Sequence, residues 1–254
     1  MNSEKTLLID IGNTNLKWSL LQNGRLSPVA AVPHKVDSVE LLAQQCWDAI
    51  DCPAQVYLAN VAGQALEQGL SDWMELRWHK APQIIHSESQ ALGVTNGYHH
   101  PLQLGVDRWL TLLAVRASES GMVCIVDCGT AITIDLMTTD GMHRGGMILP
   151  GLNLMRESLL RDTNIPRVKS VEIEALFAHD TAAAVASAAL HSAAALIERC
   201  VQEAASLYKS VPKLILTGSD ARLIAEVLHV PYSIDGGLVM KGLALLAESE
   251  GGKG

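Results

Sequence analysis

Two short stretches of this chain combine residue types suited to holding phosphate groups. In the first, an apolar run Leu7-Leu8-Ile9 ends in Asp10 and passes into Ile11-Gly12-Asn13-Thr14-Asn15-Leu16-Lys17. Gly12 lets the backbone come close to a ligand, and the amides of Asn13 to Asn15, with the Thr14 hydroxyl, can point at phosphate oxygens. Lys17, at the start of the next strand, adds a point charge. Asp10 is a poor partner for a phosphate but a good ligand, through water, for Mg²⁺. The second stretch, Val123-Cys124-Ile125-Val126-Asp127-Cys128-Gly129-Thr130-Ala131, repeats the pattern, and Gly129-Thr130 offers the same backbone-plus-hydroxyl arrangement. One Asp-x-Gly turn is as readily a plain turn. Two in matched register describe a nucleoside triphosphate held between two jaws. The chain has no Walker A pattern and no GxGxxG, so P-loop and Rossmann readings lose their main support.

The elements that must position these residues also repeat. Asp10 and Asp127 are 117 residues apart, and each is followed 13 residues later by a hairpin signal, Asn23-Gly24 and Asp140-Gly141. Such pairs favour type I′ turns, which need φ > 0 at both central positions. Each half is therefore expected to open with a strand, the Asp-x-Gly turn, a second strand, a two-residue hairpin and a third strand. In the first half, apolar periodicity predicts helices over 39–50, 62–73 and 107–117, with a strand near 54–59. In the second it predicts a strand over 142–149, a long Ala-rich helix over 181–208, a strand over 213–217 and a helix over 220–228. Two α/β domains of one design follow, residues 1–118 and 119–254, with a cleft between them and a boundary near Ser118 to Gly121.

Composition narrows the class. Of 254 residues, 48% are hydrophobic and 18% charged, which supports a sizeable core and argues against disorder. Nineteen basic residues against 27 acidic ones leave a net charge of −8, the wrong sign for a nucleic acid or an anionic membrane partner. Five cysteines without a CxxC pair suggest a reducing compartment and buried free thiols acting as small hydrophobes. Nothing at the N-terminus reads as a signal peptide, and no stretch approaches 18 consecutive apolar residues. A cytoplasmic protein without nucleic acid or membrane partners is expected.

The two-copy arrangement resembles the superfamily of acetate and sugar kinases, heat-shock chaperone ATPases and actin. That resemblance implies an α/β fold of two duplicated ribonuclease H-like domains with a central nucleotide cleft. One family within it is closer. Asp10-Ile11-Gly12-Asn13-Thr14-Asn15-Leu16-Lys17 is similar to the phosphate-binding signature of type III pantothenate kinases. Leu104-Gly105-Val106-Asp107-Arg108-Trp109 resembles that family's Gly-x-Asp-Arg motif. Asp127-Cys128-Gly129-Thr130-Ala131, followed by Gly145-Gly146-Met147-Ile148-Leu149-Pro150-Gly151, resembles its second-domain signature. The matches keep the family's order from residue 7 to about residue 237.

The resemblance implies roles for these positions. Asp10 to Lys17 would hold the phosphates of ATP, with Thr130 contributing from the second domain. Asp107 would be the base that takes the proton of the pantothenate hydroxyl. Tyr98, Gly105, Val106, Asp107 and Arg108 would bind pantothenate, Arg108 matching its carboxylate by a bidentate fork. Asp127 would coordinate a monovalent cation, K⁺ or NH₄⁺. Thr181 would contact pantothenate in a site built at a homodimer interface. The chain departs from the family pattern at Ser219, where a second glycine is usual, and at Ala188-Ala189.

Plainer readings stand beside these. Asp107 opens a helical pattern and would serve equally as a first-turn acid. His99 and His100 lack a third ligand nearby and read as surface residues. Cys124 and Cys128 share one strand face but have no partners to finish a zinc site. Gly145-Gly146 can be a β-bulge. The Ala-rich helix can be a dimer seam or an internal helix. For function, a kinase of another small alcohol on this scaffold, or a non-catalytic regulatory relative, remains the alternative to a pantothenate kinase.

Overall fold

The computed structural model describes residues 5–35, 38–165 and 176–251. They divide into two compact units, Met1–Ser118 with Gly237–Gly254, and Glu119–Gly236. The first unit is built on β1 (Thr6–Ile11), buried along nearly its whole length because its sheet carries helices on both faces. It pairs antiparallel with β2 (Asn15–Gln22), in a register that sets Asp10 opposite Lys17. Asn23 and Gly24 have φ of 51° and 69°, the expected primed turn, and lead into β3 (Arg25–Leu26). β4 (Ala30–Pro33) pairs with the first half of β2. Helix α1 (Val39–Trp47) follows, its first turn capped by the Ser38 hydroxyl, which accepts from the Leu41 amide. β5 (Gln55–Asn60) lies parallel to β1, then α2 (Gln64–Trp78) leads to β6 (Gln83–Ile85), parallel to β5. α1 and α2 bury Leu42, Trp47, Leu70 and Met74 against Leu7, Ile9 and Leu58. Trp47 sits among Trp18, Trp73 and Trp78, with ring centroids 5.9–6.4 Å away. A small hairpin of β7 (Gln90–Ala91) and β8 (Val94–Thr95) precedes a single 3₁₀ turn, Pro101–Gln103, and α3 (Val106–Ser118).

The second unit repeats the plan. β9 (Val123–Cys128) pairs antiparallel with β10 (Ala131–Met137), which pairs with β11 (His143–Pro150). After α4 (Leu152–Asp162) and α5 (Thr181–Tyr208), β12 (Lys213–Thr217) returns parallel to β9. α6 (Ala221–Ala225) connects it to β13 (Tyr232–Ile234), parallel to β12. The order β2-β1-β5-β6 in one sheet and β10-β9-β12-β13 in the other is a single ribonuclease H-like topology used twice. One residue, Asp180, starts α5 by accepting the Ala183 amide at 2.9 Å. α5 then buries Ala189, Leu190, Ala193, Ile197 and Val201 against Cys124, Val126 and Cys128. α5 is long and apolar enough by length and composition to cross a membrane, although it contains no run of 18 consecutive apolar residues. Its apolar residues here line the core of the second unit.

Two expectations change. The Asp140-Gly141 hairpin is not a two-residue primed turn: of its two central residues, only Gly141 has positive φ (82°). The last helix, α7 (Leu238–Gly251), belongs to the first unit and not to a domain running from 119 to 254. It lies along α3, where a Cβ on Gly242 would fall 2.1 Å from the Leu110 carbonyl oxygen. Only glycine permits that approach.

Candidate active site

The β1–β2 register brings the first Asp-x-Gly stretch together. Lys17 Nζ lies 3.9 Å from Asp10 Oδ2, with the Asp10 side chain 6% exposed and that of Lys17 43% exposed. The Gly12 amide donates to the Asn15 carbonyl at 3.0 Å and closes the turn, leaving Asn13 and Thr14 exposed at its tip while Ile11 and Leu16 stay buried. The Val61 amide donates to the Ile11 carbonyl at 2.9 Å, tying the loop base to the chain beyond β5. The His34 ring, unassigned from sequence, reaches the Gly12 carbonyl with Nε2 at 2.7 Å.

A second cluster forms where α3 begins. The Gly105 carbonyl accepts from the Trp109 amide at 3.0 Å, so Asp107 stands in the first turn, where an acid is favoured. Asp107 Oδ1 accepts from the Arg108 amide at 2.8 Å. A Cβ on Gly105 would lie 2.6 Å from that oxygen, so glycine makes room for the folded-back carboxylate. Arg108 is 4% exposed, yet its Nη1 donates to the Tyr98 hydroxyl at 2.7 Å. Its guanidinium also lies 5.5 Å from the Tyr98 ring centre. Two buried residues missed from sequence brace this loop. Asn96 accepts from the Tyr98 amide and donates to the Glu88 and Pro101 carbonyls, and the Ser87 hydroxyl donates to Leu104. Asn96-Gly97 carries only a turn signal in the sequence, so nothing marked Asn96 as a buried strut.

In the second unit, Asp127 is half-buried near the end of β9, and Thr130 is exposed beyond it. The Gly129 amide donates to the Ala131 carbonyl at 3.1 Å, echoing the turn at Gly12. Two glycines from elsewhere press on this turn. A Cβ on Gly151 would meet the Gly129 and Thr130 carbonyl oxygens at 2.2 and 2.6 Å. One on Gly218, whose φ is +92°, would meet Asp127 Oδ1 at 2.4 Å and the Cys128 carbonyl oxygen at 2.5 Å. The Asp127 carboxylate and the Cys128 carbonyl, which accepts from the Asp220 amide at 2.9 Å, are thus both packed against Gly218. Ser219 has no positive φ, so an L-residue is accommodated where the family usually has glycine. Thr181 is exposed at the first position of α5. His99 and His100 are exposed and outside any strand. Among the described residues, no group of three or more His, Cys, Asp or Glu is arranged to hold a metal ion.

Residues 6–203 match the model of the type III pantothenate kinase family. A type III pantothenate kinase of Nitrosococcus oceani is 36% identical over 248 residues, covering 95% of this chain and 93% of its own length. Among solved structures, one from Campylobacter jejuni, described as a conserved Baf family transcriptional activator, superposes with a TM-score of 0.63 at 21% identity. That match covers 97% of this chain and 99% of the other. Another from Sinorhizobium meliloti, described as a 2-dehydro-3-deoxygalactonokinase, gives a TM-score of 0.62 at 14% identity over 96% and 99% of the two chains. Both share the fold. With the motifs in place on that fold and the family model spanning both Asp-x-Gly turns and the start of α3, the chain belongs to the type III pantothenate kinase family.

Proposed function

We propose that this chain transfers the γ-phosphoryl group of ATP to the primary hydroxyl of pantothenate, giving 4′-phosphopantothenate for coenzyme A biosynthesis, with the residue roles that follow. Its family membership carries the reaction. The loop Asp10, Ile11, Gly12, Asn13, Thr14, Asn15, Leu16 and Lys17 binds the ATP phosphates through amides, the Thr14 hydroxyl and the Lys17 charge, with Thr130 assigned to the same nucleotide. Tyr98, Gly105, Val106, Arg108 and Thr181 bind pantothenate. Arg108, oriented by the Tyr98 hydroxyl, presents its fork to the carboxylate. Asp107 orients the hydroxyl and accepts its proton as the new O–P bond forms and the bond to the ADP oxygen breaks. The transition state is loose, so positioning and charge supply most of the acceleration.

Asp10 is suited to hold Mg²⁺ through water, since that ion keeps several waters and needs only one or two carboxylates beside phosphate oxygens. Asp127, with the Cys128 carbonyl beside it at Gly218, is suited to a monovalent cation, K⁺ or NH₄⁺. Bound there, these ions would neutralise phosphate charge. We further propose a cytoplasmic homodimer without nucleic acid or membrane partners, in keeping with the net charge of −8.

A coupled ADP-release assay tests the reading. ADP release is expected to require pantothenate and to rise with K⁺. Asp107→Asn is expected to lower kcat by roughly 10²–10⁴-fold with ATP affinity retained. ADP release indifferent to pantothenate, or wild-type turnover by Asp107→Asn, would refute the assignment.

A further inference from the structure

His34 directly follows β4, whose Pro33 is paired with Asn15. Its amide extends that ladder by one step, donating to the Thr14 carbonyl at 3.3 Å, while its ring Nε2 lies 2.7 Å from the Gly12 carbonyl oxygen. A carbonyl can only accept, so Nε2 carries the proton in this contact. One residue therefore grips the phosphate loop at two carbonyls, on either side of the exposed Asn13.

The grip has a directional consequence. A trans peptide unit is planar, and its C=O and N–H point in opposite directions. Holding the Gly12 carbonyl toward His34 turns the Asn13 N–H away from it. Gly12 has no side chain to restrict the adjoining peptide units, so without the ring contact this one would have more freedom to rotate. A donor fixed before the ligand arrives avoids the ordering cost at binding.

We propose that His34 is a positioning residue for ATP: its Nε2–H locks the Gly12 peptide so that the Asn13 amide is aimed at a phosphate. This rests on the reading that the Asp10–Lys17 loop binds the ATP phosphates. A glutamine places its amide nitrogen near the position of histidine Nε2, whereas asparagine reaches only as far as Nδ1. That difference supplies the test.

His34→Ala is expected to raise both the KM for ATP and the Kd of an imido-bridged ATP analogue by about tenfold, the scale of one lost hydrogen bond. The KM for pantothenate should stay within about twofold. His34→Gln should recover most of the lost affinity and His34→Asn should not. Equal behaviour of the Gln and Asn variants, or unchanged ATP affinity in His34→Ala, overturns the role. Should the Ala variant fail to fold, the Gln and Asn pair still decides. Lys17→Ala separates the underlying reading: if it weakens ATP binding and His34→Ala does not, only the His34 role fails. If neither does, the loop is not the nucleotide site.

Discussion

Cys124 and Cys128 alternate with Val126 on the helix-covered face of β9, and desolvation there pushes both thiols up to about 12 from an ordinary 9.0. Cys46, under the Trp47 cluster, is pushed to about 11 by the same cause. Only the thiolate is a nucleophile, so these three are inert at neutral pH, as the sequence reading of core thiols implies. Cys52 is exposed, and Cys200 is half-buried, with its thiol raised by burial. In the folded state the raised thiols keep protons that the unfolded chain releases above about pH 9. Their contribution to stability is therefore complete below that pH and declines as pH rises toward 11 to 12. Titrating the native protein with a thiol-reactive dye at pH 8 should modify Cys52 quickly and Cys46, Cys124 and Cys128 only after denaturant is added. The denaturation midpoint should also fall from pH 9 upward. Rapid labelling of Cys124 or Cys128 in the native state would contradict this account.

Among the elements, the paired hairpins show where sequence patterns suffice. Asn23-Gly24 forms the primed turn because both residues tolerate positive φ. At Asp140-Gly141 the Thr138 hydroxyl donates to Asp140 Oδ1 at 2.6 Å, and the Gly141 amide donates to the Thr138 carbonyl at 2.8 Å. The result is a longer loop than the dipeptide alone encodes, whereas the register shift between Asp135 and Met137 falls opposite Gly145, whose φ is +92°, as the β-bulge reading of Gly145-Gly146 implies. The long helix 181–208 was legible to the residue because its apolar period is unbroken. β6 and β13, three residues each, are too short to show a period, and their pairing depends on β5 and β12. Gly218 was equally hidden: its necessity comes from Asp127, 91 residues earlier in the chain. Gly218→Ala must place a methyl at positive φ against the Asp127 carboxylate and the Cys128 carbonyl, a conformational cost of about 1–3 kcal/mol before any displacement. It should lower the melting temperature and abolish stimulation of turnover by K⁺. Ser219→Gly, which meets no such constraint, should leave both nearly unchanged. A K⁺ response in Gly218→Ala equal to that of the parent would remove Asp127 from the cation site.

At the scale of the whole chain, the repeat in the sequence suggests two consecutive halves, but α7 returns to the first unit, so residues 119–236 are inserted between α3 and α7. Sequence periodicity hides this because α7 reads Leu238-Val239-Met240-Lys241-Gly242-Leu243-Ala244, apolar on most sides, with no stripe to say which sheet it covers. Its partner is named instead by a missing side chain. A Cβ on Gly242 would lie 2.1, 2.7 and 2.9 Å from the O, C and Cα of Leu110, all backbone atoms that cannot rotate aside. Overpacking a core usually costs about 1–3 kcal/mol, and a backbone obstacle places Gly242→Ala at the upper end. In a chain of this size that corresponds to a fall in melting temperature of roughly 6–12 °C. The displaced helix is α3, and Leu110 lies within one turn of Asp107 and Arg108. The strain should therefore reach catalysis as well as stability, lowering kcat and raising the KM for pantothenate more than that for ATP. Calorimetry with steady-state kinetics on Gly242→Ala measures both. A variant that melts and turns over like the parent would mean that α7 does not set the position of α3.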